Sequence, residues 1–170
     1  MPNWCENKIL IRGTKQQRKE FKAKYCKLVK VDWRDKEIWA LDFNKVIPQP
    51  KSIEECPEEF IIHNEEEARK EFLNYDENNE RRWFNWYRWA CHNWGTKWNA
   101  SPYDSRETDV CLTLWFDTPW SPPDPIISKL ILDNYDLKIT GRYDEPNMDI
   151  HGWYTYKDWL VDKIKQEEGK

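Results

Sequence analysis

The 170-residue chain has a mean hydropathy of -1.02 and 34% charged residues, a balance that favours disorder, but its 12 Trp, 8 Tyr and 6 Phe can bury enough area to offset chain entropy. No apolar run nears the roughly 18 residues of a membrane span, and the N-terminus MPNWCENKIL lacks the charged and apolar regions of a secretory signal, so a cytosolic protein with no membrane partner is expected. The formal net charge of -4 is unevenly spread: from Glu54 to Glu80 eleven acids face only Arg69 and Lys70, whereas residues 81–98 carry Arg81, Arg82, Arg88 and Lys97 and no acid.

In WCENKILIR, residues 4–12, Cys5, Asn7, Ile9 and Ile11 alternate with Trp4, Glu6, Lys8, Leu10 and Arg12, which predicts a first strand stopped by Gly13. Thr14 and Gln17 form a capping-box signature, and Phe21, Tyr25 and Leu28 recur at i, i+4 and i+7, so a helix is predicted to about Leu28. Residues 37–47, EIWALDFNKVI, read as a second strand that exits at Pro48 and Pro50. An acidic insertion covers about 48–80: a loop to about residue 63, then a short exposed helix over 64–74 with Ala68 and Phe72 inward.

From about Glu80 to Trp94 a helix places Trp83, Phe84, Trp86, Tyr87, Trp89, Ala90, Cys91 and Trp94 on an arc of about 220°, leaving Asn85, Arg88 and His92 as a polar wedge. So wide an apolar arc predicts cover on two sides, by a sheet and by a second element such as the acidic insertion, with Gly95 ending the helix. DVCLTLWFD, residues 109–117, alternates Val110, Leu112, Leu114 and Phe116 as a central strand. Ser121 is predicted to cap a helix that has Pro122 and Pro123 in its first turn and Ile127, Leu130 and Ile131 inward. Residues 136–143 and 149–156 form a hairpin around DEPNMD, followed by a short tail helix at about 157–167. This order predicts a single α+β domain over 1–170, a ferredoxin-like sandwich with a largely antiparallel sheet and helices on one face.

The segments MPNWCEN, WYRWACHNWGTKWNA and LWFDTPWSPPDPII closely resemble, in that order, the YubB-type ferredoxin-like family encoded by bacteriophages and plasmids. The resemblance implies a ferredoxin-like fold in a mobile-element accessory protein of the bacterial cytosol, and it implies no particular reaction. The long acidic segment departs from the family's usual pattern and marks a place for a role specific to this chain.

The search for chemistry finds no G-x-S-x-G, and His63, His92 and His151 lie in unrelated elements. Cys91 and His92 are neighbours on a helix, where their side chains diverge by about 100°, so they form no nucleophile and base pair. Cys5, Cys26, Cys56, Cys91 and Cys111 never make C-x-x-C and read as reduced, mostly packed thiols, Cys91 included. His63 with the nearby acids lacks the spacing of a metal site, and the five glycines form no phosphate loop, so neither metal nor cofactor is expected and an enzyme of unrecognised type is the last of the readings the sequence leaves open.

What remains is W-G-T-K-W, where a turn at Gly95 offers Thr96 and Lys97 to a phosphate and Trp98 to a base, while most other indoles are assigned to the core. Arg88, and Arg142 on the solvent side of the C-terminal hairpin, complete the candidate ligand set. The leading expectation is a non-catalytic binding protein acting in counter-defence on a host defence or regulatory factor, with Glu65, Glu66 and Glu67 as the surface for a host protein. A sponge for a small nucleotide signal is the alternative. Nucleic-acid binding comes third, opposed by a pI of about 5.5.

Overall fold

The computed structural model describes residues 3–31, 36–64, 66 and 84–155. The chain runs β1 (Trp4–Arg12), α1 (Lys15–Tyr25), β2 (Cys26–Val31), β3 (Lys36–Leu41), α2 (Phe43–Val46), α3 (Trp86–Trp94), β4 (Ser101–Glu107), β5 (Cys111–Pro119), α4 (Asp124–Asp133), β6 (Lys138–Glu145) and β7 (Ile150–Tyr154), with short 3-10 turns at Ile53–Glu55 and Glu58–Phe60. The main sheet has the order β4-β5-β1-β6-β7, every neighbouring pair antiparallel, and β2 and β3 form a separate ladder. Because β5 and β6 both run opposite to β1, they are parallel to each other and α4 is their crossover. This is a split β-α-β unit with β1 between its strands.

Pleating sends Cys5, Asn7, Ile9 and Ile11 of β1 to one side, where they meet Leu112, Leu114 and Phe116 of β5 and Ile139 of β6. Helices supply the opposite wall. Phe21 and Tyr25 of α1, Trp89, Ala90 and Trp94 of α3, and Ile126, Ile127, Leu130 and Ile131 of α4 belong to the same buried cluster. The fold is α+β and ferredoxin-like, a largely antiparallel sheet with helices on one face. Among the described residues no helix is long and apolar enough to cross a membrane.

The capping box forms as predicted: Thr14 Oγ1 accepts from Gln17 N, and Thr14 N donates to Gln17 Oε1 at 2.8 Å. Helix α1, however, ends at Tyr25 and the chain passes straight into β2, where Leu28 is 49% exposed and pairs with Trp39. The i, i+4, i+7 spacing that reached Leu28 loses to the strand preference of CKLVKV, with its branched Val29 and Val31. The predicted strand over 37–47 also stops early, at Leu41. Asp42 then caps α2, its carboxylate accepting from Asn44 N at 3.2 Å.

Helix α3 opens at Asn85, which is buried and accepts from Arg88 N at 2.9 Å, so Asn85 belongs to a cap and not to the polar wedge. Tyr87 and Cys91 are exposed, contrary to the predicted arc, and the buried stripe narrows to Trp89, Ala90 and Trp94 with Trp86 half-buried. Cys91 is therefore no packed thiol. Cover from a second side comes from residues 58–62, where the Phe60 ring lies 5.6 Å from His92 and Ile61 bridges Phe84. Gly95 ends α3 in the left-handed region at φ 77°, where a Cβ would approach Pro125 Cδ to 2.9 Å.

Val110, predicted inward, lies in the turn before β5 and is 67% exposed. Helix α4 begins at Asp124 with Pro123 at its cap position, so Ser121 is not its cap; Ser121 Oγ instead donates to Gly95 O at 2.6 Å and holds the end of α3 against the start of α4. The predicted helix over 64–74 with Ala68 and Phe72, the start of the Trp-rich helix at 80–83, and the tail helix at 157–167 lie outside the described residues, Asn64 and Glu66 excepted.

Candidate functional site

The five residues assigned to a ligand from sequence do not form one site. Thr96 is buried, and its hydroxyl donates to Pro119 O at 2.9 Å, tying the loop after α3 to the end of β5. It presents nothing to a ligand. Lys97 Nζ stands 4.1 Å from the centre of the Trp98 ring, and Trp98 in turn lies 6.1 Å from Trp4. Arg88 is on α3, which packs on the helix-covered face, whereas Arg142 is on the opposite face of the sheet. Of the proposed partner surface, Glu66 is exposed, and Glu65 and Glu67 lie outside the described residues.

Arg142 leads to a different surface. On β1, Trp4, Glu6, Lys8, Leu10 and Arg12 point away from the helices, and no described element covers them. Register then aligns charges and rings across the strands. Lys8 lies between Trp115 of β5 and Arg142 of β6, and Arg142 pairs with Trp153 of β7. One step along the strands, Glu6 lies between Asp117 and Asp144, and Asp144 pairs with His151. A register shift in β4 between Pro102 and Asp104 turns Tyr103 toward the same face. Except for Asp117, the aligned residues and Tyr103 line an open cavity of about 320 Å³.

The cavity joins three chemistries. Trp115, Tyr103 and Trp153 supply aromatic rings, Trp153 being 73% exposed and Lys8 Nζ lying 5.3 Å from the Trp115 ring centre. Lys8 and Arg142 form a basic row in which neither makes an ion pair or side-chain hydrogen bond among the described residues, and the acidic row of Glu6 and Asp144 likewise has no ion-pair partner there. The two rows are separated by two residues along each strand, or about 6.8 Å. Opposite charges thus stand side by side without closing on each other.

Beside this cavity Asp117 is partly buried, and its Oδ1 has no hydrogen-bond partner among the described residues. Burial, reinforced by the Glu6 charge, pushes its carboxyl up to about 6, while burial and then the Asp117 and Glu6 charges push the Tyr103 phenol up to about 12. An acid whose proton is held more tightly when folded gives stability that is complete below its ordinary value near 3.8 and is lost as pH rises through about 6. Asp117→Asn is accordingly expected to stabilise the protein at pH 7, by at most about 3 kcal/mol before screening is counted, and so to raise its melting temperature there, with little change near pH 4. Thermal melts of both proteins across pH 4–8 measure this.

A second groove of about 960 Å³ runs between α1 and β3, lined by Lys15, Lys19, Lys22 and Trp39. Much of its charge is internally engaged: Lys22 and Arg18 both bind Glu107, and Lys22 Nζ lies 5.1 Å from the Trp39 ring centre. Among the described residues no group of three or more His, Cys, Asp or Glu is placed to hold a metal ion.

None of Lys8, Tyr103, Trp115 or Trp153 was named as a site residue from sequence. The available signal was alternation, which puts Lys8 on the solvent side of β1 and Trp115 opposite the apolar face of β5. Register alone brings them together. No curated protein and no solved structure matches the chain. Residues 93–170, from the last turn of α3 through β7 and beyond, are similar to the family described as the ferredoxin-like domain in Api92-like protein, in agreement with the ferredoxin-like fold.

Proposed function

We propose that the protein is a non-catalytic binding protein of a phage or plasmid that captures a nucleotide on the open face of its sheet in the bacterial cytosol. The observation that carries this reading is the alignment of Trp115, Lys8, Arg142 and Trp153 on neighbouring strands around one cavity. Rings of this kind stack on any base, and two cations beside them with no ion-pair partner among the described residues take a phosphate. The mobile-element setting rests on the sequence resemblance. Capture of a host signal would make the protein an agent of counter-defence. The other reading, a host protein bound through Glu65, Glu66 and Glu67, draws on the charge pattern and the sequence resemblance, and the cavity favours the nucleotide.

Tryptophan fluorescence tests the reading directly, because a base stacked on Trp115 quenches it. Titration with a panel of mono- and dinucleotides is expected to show saturable quenching, weakened at least about tenfold by either Trp115→Ala or Arg142→Ala and little changed by Lys97→Ala. If Lys97→Ala abolishes binding and the sheet variants do not, the site belongs at the Gly95 turn. A flat response to the whole panel, with the protein folded, overturns nucleotide capture.

A further inference from the structure

Resting on that reading, we infer that the base the open face selects is guanine, read by the carboxylates of Glu6 and Asp144. These residues are register partners on β1 and β6, both exposed, both lining the cavity and neither in an ion pair among the described residues. Two like charges held on adjacent strands repel each other and gain most from a ligand that brings two donors at once. An ionised carboxylate only accepts hydrogen bonds. Among the bases, guanine offers a Watson–Crick edge with neighbouring donors, the ring N–H and the exocyclic amino group, whereas adenine and cytosine set a ring-nitrogen lone pair beside their amino group and uracil sets its one N–H between two carbonyls.

The placement of the other groups fits the same ligand. Lys8 and Arg142 follow the acidic row at about 6.8 Å, two residues along the same two strands, so the anionic end of a nucleotide meets cations while its donor edge meets carboxylates. By register Trp115 and Trp153 stand at the two ends of the row that holds Lys8 and Arg142, and Tyr103 lines the same cavity from β4, so aromatic rings lie beside both charged rows for the base to stack on. A ligand bearing only phosphate would leave the acidic row facing its charge. One bearing only donors would leave Lys8 and Arg142 unused.

The chemistry is common to a free guanine nucleotide and to an unpaired guanine in a single strand, and the experiment separates the two sources. Calorimetric titration of the full chain with the 5′-monophosphates of guanosine, adenosine, cytidine and uridine is expected to give guanosine monophosphate at least about tenfold tighter binding than the others. In the double variant Glu6→Gln, Asp144→Asn, which removes exposed charges and is expected to keep the wild-type circular dichroism spectrum, that preference is expected to disappear while adenosine monophosphate binds as before. Tighter binding of a guanine-containing oligonucleotide than of the monophosphate assigns the single strand as the source; the reverse order assigns the free nucleotide. Equal affinity for all four monophosphates, or a guanine preference that survives the double variant, overturns guanine recognition and leaves nucleotide capture standing. No binding of any monophosphate or oligonucleotide overturns both.

Discussion

Trp94→Ala is expected to cost about 3–5 kcal/mol of stability, the range for truncating a buried tryptophan, and to show as a large fall in the denaturant midpoint. Trp94 is 3% exposed at the centre of the helix layer, with its ring 5.5 Å from Trp89 and 5.7 Å from Phe43, both close to perpendicular. Such edge contacts add to the area term. Its Nε1 also donates to Ile47 O at 2.8 Å, so truncation leaves that carbonyl without its donor as well as a cavity between α3 and α2. Trp86→Ala is expected to cost clearly less, because Trp86 is only half-buried at the start of α3. Equal midpoints for wild type and Trp94→Ala would contradict this account of the core.

How far the sequence announces this arrangement depends on the kind of signal each element carries. Strand β1 and helix α4 are legible because one face of each is apolar at the right period, and the structure buries Ile9, Ile11, Ile127, Leu130 and Ile131 accordingly. Strand β4 is illegible for the opposite reason: SPYDSRE is polar, contains Pro102, and lies at the sheet edge, where a missing N–H is tolerated and little apolar burial is required. The boundary at Tyr25 is hidden because the chain turns from α1 into β2 with no glycine or proline between them.

The candidate site is less legible than the fold, and for a physical reason. Trp98 and Lys97 attract notice as neighbours in sequence, yet the hydroxyl between them and Gly95 is buried in the structure. Lys8, Trp115, Arg142 and Trp153 come from four strands and become neighbours only through the order β5-β1-β6-β7. Each alone is an ordinary outward residue. Only Arg142 was picked out from sequence, because alternation along its strand already placed it toward solvent.

Arg18→Met is expected to destabilise the protein by about 1–3 kcal/mol, the cost of leaving buried carbonyls without their donor, although methionine fills much of the same space. Arg18 is 2% exposed and uses all three guanidinium nitrogens: Nε donates to Glu107 Oε1 at 3.1 Å, Nη1 to Gly13 O at 2.6 Å and Nη2 to Thr108 O at 3.0 Å. It thereby joins the start of α1 to the turn between β4 and β5. Lysine cannot reproduce that fork, so Arg18→Lys is expected to rescue little. Burial pushes the Glu107 carboxyl up, but hydrogen bonds and charge from Lys22 and Arg18 outweigh it and hold the group below its ordinary value of 4.5. Stability from this cluster is therefore present above about pH 4.5 and lost as pH falls through the folded value, so the gap between wild type and Arg18→Met should narrow in acid. Because the turn anchors the edge strand that carries Tyr103, amides of β4 are expected to lose hydrogen-exchange protection before those of β1, and nucleotide affinity should fall with them. Midpoints that coincide across pH 3–7, or β4 amides as protected as in wild type, would show that Arg18 does not hold this edge.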